Sequence, residues 1–220
     1  MTLASNILLI NPNTSQATTR AMHRLAQPCL PAQVRLCSVT AEQGVPMITT
    51  PQELQTALAQ VVALAQRWAG QVDAVVVGAF GDPGVALLRQ LLALPVVGIG
   101  EAALREAAAG GRKFGVATTT PSLRASIDQA AKGLGLGAHY TGCQTPQCAA
   151  PLALAHQPDA QDDALAQAVR ACIDQDGAQA VVIGGGPLAA CVPRLAPLFE
   201  VPVISPVEAA MRAALVALRI

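Results

Sequence analysis

Four short stretches place groups able to do chemistry where strands give way to turns. Asn-Pro-Asn-Thr-Ser (11–15) offers the amides of Asn11 and Asn13 and the hydroxyls of Thr14 and Ser15, either of which can cap a following helix. Gly-Ala-Phe-Gly-Asp-Pro-Gly (78–84) follows a run of valines and carries Ala79 and Phe80 at its tip. Thr-Thr-Thr-Pro-Ser (118–122) presents Thr118 and Thr119 ahead of a helix start, and Gly-Gly-Gly-Pro-Leu-Ala-Ala (184–190) presents Gly185 and Gly186. Free N–H groups at helix starts and in glycine turns attract a carboxylate or a polarised carbonyl. The chemistry to expect is therefore recognition of a small anionic or carbonyl-bearing ligand, with stabilisation of an oxyanion.

Acid–base groups are scarce in these loops. Asp82 is the one carboxylate, and its place before Pro83 predicts the cap of a helix beginning there more than a base. His23, His139 and His156 fall outside all four loops. The six cysteines sit mostly among apolar or small neighbours and read as buried free thiols, Cys191 included. Cys143 and Cys148 have the spacing of half a metal site, but no second cysteine pair stands near them in sequence, so no metal is predicted.

The elements that hold these loops follow from the apolar pattern. Short β-branched runs at 6–11, 34–39, 74–79, 95–100, 113–118, 138–143, 180–185 and 202–207 predict strands. Helical spacing fills 52–69, 85–93, 122–134 and 162–174, with Thr50-Pro51 and Pro121-Ser122 as start signals. Strand and helix in alternation imply parallel sheets with right-handed crossovers. At 52% hydrophobic and only 2% aromatic, the core must be aliphatic, which suits strands covered on both faces. Fourteen basic residues balance fourteen acidic ones without a basic face, which argues against nucleic acid. No stretch approaches the ~18 apolar residues that cross a membrane. The N-terminus reads as a strand rather than a signal peptide, so a cytoplasmic location is expected.

The pattern also repeats. Asn11 and Thr118, Cys37 and Cys143, Ala79 and Gly185, Pro95 and Pro202, and Glu101 and Glu208 all lie 106 or 107 residues apart. Two similar α/β lobes follow, 1–97 plus 205–220 and 98–204, with the C-terminal helix (208–220) returning to the first. Equivalent loops would face each other across a cleft, at the carboxyl ends of the strands where open α/β sheets bind ligands. A nearly symmetric cleft suits a reaction that approaches one carbon from either face.

Ile-Asn-Pro-Asn-Thr-Ser, Phe-Gly-Asp-Pro-Gly and Gly-Ile-Gly-Glu-Ala-Ala, in this order across the whole chain, resemble the aspartate/glutamate/hydantoin racemase superfamily, nearest its hydantoin and allantoin racemases. The resemblance implies two pseudo-symmetric α/β lobes and a site between them that racemises without a cofactor. It implies a small carboxylate, hydantoin or ureide as ligand, and it is compatible with a homo-oligomer. It also implies one cysteine before the Phe-Gly-Asp-Pro-Gly turn and another after the glycine ending the penultimate strand, one to remove the α-proton and one to return it. This chain has Ala79 and Gly185 at those positions. Either another proton carrier serves a racemase, isomerase or decarboxylase reaction, or the cleft binds without turnover. Asn11, Asn13, Thr14, Ser15, Phe80, Thr118, Thr119 and Gly186 are the expected ligand-binding residues.

Overall fold

A computed structural model of the chain describes residues 5–146 and 151–220. Its first half runs β1 (Ser5–Asn11), α1 (Gln16–Ala26), β2 (Val34–Thr40), α2 (Pro51–Trp68), β3 (Ala74–Val77), α3 (Val85–Leu91), β4 (Val96–Gly98) and α4 (Ile99–Ala107). The second runs β5 (Phe114–Ala117), α5 (Arg124–Gly133), β6 (Tyr140–Gln144), α6 (Pro151–Leu154), α7 (Pro158–Asp174), β7 (Ala180–Ile183), α8 (Val192–Leu195), β8 (Val203–Ile204) and α9 (Pro206–Leu218). All pairings are parallel, and the two sheets have the same order, β2-β1-β3-β4 and β6-β5-β7-β8. The fold is the expected α/β pair of parallel sheets with surrounding helices.

Aliphatic strands set this architecture. Ile7 to Ile10 and Ala74 to Val77 have no exposed surface, and Ala180 to Ile183 none either. Each such Val, Leu or Ile contributes ~1.5–3 kcal/mol on burial. The strands stop short of the sequence expectation where glycine takes over. β3 ends at Val77 and β7 at Ile183, yet the next N–H still reaches the neighbouring strand: Gly78 donates to Ile10 O at 2.7 Å and Gly184 to Ala117 O at 2.8 Å. The run at 202–207 likewise yields only two strand residues, because Ser205 caps α9 by accepting from Glu208 N–H and Pro206 opens the helix.

Strand register corrects one pair of the repeat. Leu9 lies level with Val76 and Val76 with Val97; Val116 lies level with Val182 and Val182 with Ile204, which preserves the offset of 106 or 107. Leu8 pairs with Cys37 whereas its counterpart Gly115 pairs with Gly142, so Cys37 answers Gly142 and not Cys143. The register shift between Phe114 and Gly115 narrows the difference without removing it: Leu36 answers Tyr140 before it and Cys37 answers Gly142 after it.

The terminal helix of each half crosses to the other half's sheet. α4 contacts β7 and β8, and α9 contacts β3 and β4. The two helices also pack on each other, with Ala103, Leu104 and Ala107 sharing one core with Val207, Ala210, Met211 and Ala214. Arg212 adds a two-pronged pair with Glu106 at 2.8 and 2.9 Å, but both side chains are part-exposed, so the pair contributes ~0–1 kcal/mol and the apolar contact dominates. No helix among the described residues is long and apolar enough to cross a membrane.

The two halves also meet at their glycine loops. A Cβ on Gly186 would lie 2.6 Å from Gly78 O and 3.0 Å from Met22 Sδ. The three atoms nearest a Cβ on Gly185 all belong to the Leu188 side chain, starting at 3.1 Å. Gly186→Ala should therefore cost ~1–3 kcal/mol in chemical denaturation, because backbone must move, and Gly185→Ala clearly less. The reverse ranking would show that the loops do not touch there.

Candidate active site

The β3–α3 loop and the loop after β7 enclose a cleft at the carboxyl ends of both sheets. Asn13, Met47, Ile48, Gly78 to Phe80, Thr120, Leu123 and Gly184 to Leu188 line it, around a volume of about 40 Å³. Ala79 and Gly185 hold matching places: each is part-exposed between buried neighbours, Gly78 and Phe80 in one half, Gly184 and Gly186 in the other. Five expected residues (Asn13, Phe80, Gly186 and the pair Ala79 and Gly185) thus share one cavity, and it lies between the repeated loops.

Asn11 and Thr118, their expected companions, stand behind the wall. Asn11 is fully buried; its Nδ2 donates to Asn13 Oδ1 (2.9 Å), Ser15 O (3.0 Å) and Thr19 Oγ1 (2.9 Å), and its Oδ1 accepts from Asn13 N–H (3.2 Å). It shapes the loop and has no group left for a ligand. Thr118 Oγ1 donates to Gly184 O at 2.8 Å, which ties β5 to the loop after β7. Ser15 caps α1 by accepting from Thr18 N–H, and it faces an outer chamber instead of the cleft. Thr14 N–H is held by Val45 O, and Thr14 does not line the cleft. Thr119 is 1% exposed with its Oγ1 unpartnered among the described residues, and it too lies outside the lining.

What faces the cleft is a set of small donors and acceptors. Asn13 Oδ1 takes Asn11 Nδ2–H and Ser15 N–H, so its Nδ2 remains a donor without a partner among the described residues. Thr118 has one hydroxyl proton and gives it to Gly184 O; Thr120 Oγ1, 2.8 Å away, must then donate to Thr118 and present lone pairs. The backbone N–H groups of Ala79, Phe80 and Gly186 have no acceptor among the described residues. Thr120, Met47, Ile48, Leu123 and Leu188 escaped the sequence reading. A third consecutive threonine was the only signal for Thr120, and nothing local marks Met47 or Ile48, which arrive on the β2–α2 connection.

Among the described residues, no side chain lining the cleft is titratable. Asp82 sits behind it, in a neighbouring cavity with Glu101. Its carboxylate accepts from Gly100 N–H at 2.9 Å and Glu101 N–H at 2.6 Å, so it caps α4 and not the helix after Pro83, as the sequence suggested; α3 has Gly84 as its N-cap. The turn brings this about by holding Asp82 in the left-handed region at φ 52°, which swings the side chain towards α4. Burial pushes its pKa up to about 7, against the pull of the two N–H bonds. A raised folded value means that the folded state favours the proton, so this group's contribution to stability declines as pH rises from about 4 through about 7. Asp82→Asn should remove that component. Urea midpoints of the two proteins, compared from pH 5 to 8, check this, and parallel profiles would refute it.

The described cysteines stay out of the cleft. Cys143, Cys172 and Cys191 are buried, and burial pushes each thiol up to about 12, far from the thiolate a base requires. Cys148, half of the CxxxxC motif, lies outside the described residues. Among the described residues no three His, Cys, Asp or Glu side chains gather as metal ligands.

Known proteins resemble this chain over nearly its whole length. The Asp/Glu/Hydantoin racemase family matches residues 7–214. A hydantoin racemase of Paenarthrobacter aurescens is 29% identical over 94% of this chain and 89% of its own. An allantoin racemase from Klebsiella pneumoniae has a TM-score of 0.91 at 29% identity, covering 98% of this chain and 89% of that one. The allantoin racemase of Pseudomonas fluorescens has the same score at 26% identity, over 97% and 91%.

Proposed function

Because the chain belongs to the Asp/Glu/hydantoin racemase family, we propose that its cleft is a cofactor-independent racemase-type site for a hydantoin or cyclic ureide. The observation that carries this is the convergence of unpartnered donors from both halves: Ala79, Phe80 and Gly186 N–H and Asn13 Nδ2. A ring carbonyl takes these N–H groups. When the α-C–H bond breaks, its electron pair moves onto that oxygen as an enolate, which the same donors stabilise. One such donor is typically worth ~10²–10³ in rate.

With no titratable side chain among the described residues of the lining, the proton passes to water in the space beside Ala79 and Gly185. Water on the opposite side returns one to the carbon. That same absence of a side-chain base favours a second reading, in which the cleft binds its ligand without turnover. Deuterium exchange separates them. Incubation with 5-substituted hydantoins or allantoin in heavy water, followed by NMR, should show α-proton loss above the uncatalysed rate. Binding without added exchange supports the second reading, and absence of binding refutes both.

A further inference from the structure

The cleft itself has room for roughly three water-sized spheres, so a ring edge fits and a ring substituent does not. Two larger spaces adjoin it. One, of about 180 Å³, lies behind Phe80 and Leu123, which are each only 7% exposed and form a closed wall. The other, of about 350 Å³, shares Met47 and Pro187 with the cleft, and both of these are part-exposed. The open route out of the cleft therefore leads into this second chamber, between α1 and the α6–α7 turn.

Its polar groups are uncommitted. Gln161 Oε1 takes the Cys191 S–H at 3.6 Å, which leaves Gln161 Nε2 free to donate. Thr18 Oγ1 and the His156 ring have no hydrogen-bond partner among the described residues. We infer that this chamber seats the substituent of the ring bound in the cleft, and that Thr18, His156 and Gln161 select substituents that hydrogen-bond, of ureido or carboxamide type, over alkyl ones. A ureido group has a carbonyl for Gln161 Nε2 and N–H groups for the Thr18 hydroxyl and the imidazole. An alkyl group would strip water from all three and return nothing. This inference rests on the proposed function, because the ring must sit in the cleft.

Calorimetric affinities for hydantoin, 5-methylhydantoin and allantoin test it on the intact protein. Allantoin should bind at least tenfold tighter than 5-methylhydantoin, ~1.4 kcal/mol. In Gln161→Leu and in His156→Phe, each checked for an unchanged thermal midpoint, that ratio should fall towards one. Binding of hydantoin with a ratio near one in the parent overturns the chamber alone, and so does a high ratio that neither variant moves. Failure of all three compounds to bind overturns the proposed function and the chamber together.

Discussion

Cysteine placed at both Ala79 and Gly185 should raise the racemisation rate of a 5-substituted hydantoin by at least ~10², the usual worth of a positioned acid–base group. Geometry permits the change. Ala79 already carries a Cβ, and a Cβ on Gly185 needs the Leu188 side chain, whose Cγ and Cδ1 lie at 3.1 Å, to shift by a few tenths of an ångström. Both positions are part-exposed to the cleft between buried neighbours. A thiol there would stand beside the free N–H groups of Phe80 or Gly186, which favour its thiolate. None of the buried native cysteines has that setting.

The single variants divide the reaction. Ala79→Cys alone supplies a base on one side of the ring, so one enantiomer should exchange its α-proton with solvent while inverting slowly. Gly185→Cys should do the same for the other enantiomer. Only the double variant should exchange and invert at comparable rates. Chiral chromatography alongside NMR in heavy water reads both quantities. A folded double variant that binds the hydantoin and leaves its α-proton in place would remove the cleft from carbanion chemistry altogether.

Much of this was legible from one-dimensional pattern. Aliphatic runs with glycine ends fix strands wherever both sheet faces are covered, and the offset of 106 or 107 carries one lobe's plan onto the other. What failed was tertiary in origin. Asp82 precedes a proline and looks like a local cap, but its left-handed backbone carries the carboxylate to α4, eighteen residues away. Asn11 and Thr118 are polar residues at strand ends, which is where ligands bind. Sequence cannot tell a side chain aimed at a ligand from one consumed by the loop that presents it. The chamber beside Met47 and Pro187 depends on connections with no periodic signal, so His156 gave no local reason to be placed beside the cleft.

Asn11 yields the largest expected loss of stability. Its Nδ2 faces three oxygens, Asn13 Oδ1, Ser15 O and Thr19 Oγ1, at 2.9 to 3.0 Å with no exposure to water. Asn11→Asp keeps the shape and replaces the donor with an oxygen. Thr19 can turn its hydroxyl to donate, but Ser15 O and Asn13 Oδ1 cannot, so an ionised carboxylate there is buried against two acceptors. The cost at neutral pH should be ~3–5 kcal/mol, the range for an uncompensated buried charge. Protonation restores one donor, so the folded state raises this carboxyl above its unfolded value of ~3.9. The sign is then fixed: the deficit against the parent is smallest below that value and grows as pH rises towards neutrality. Urea denaturation of both proteins at pH 4 and pH 7 measures it. A deficit independent of pH would mean that the loop reorganises around the charge, and Asn13 would then lose the anchor that aims its amide into the cleft.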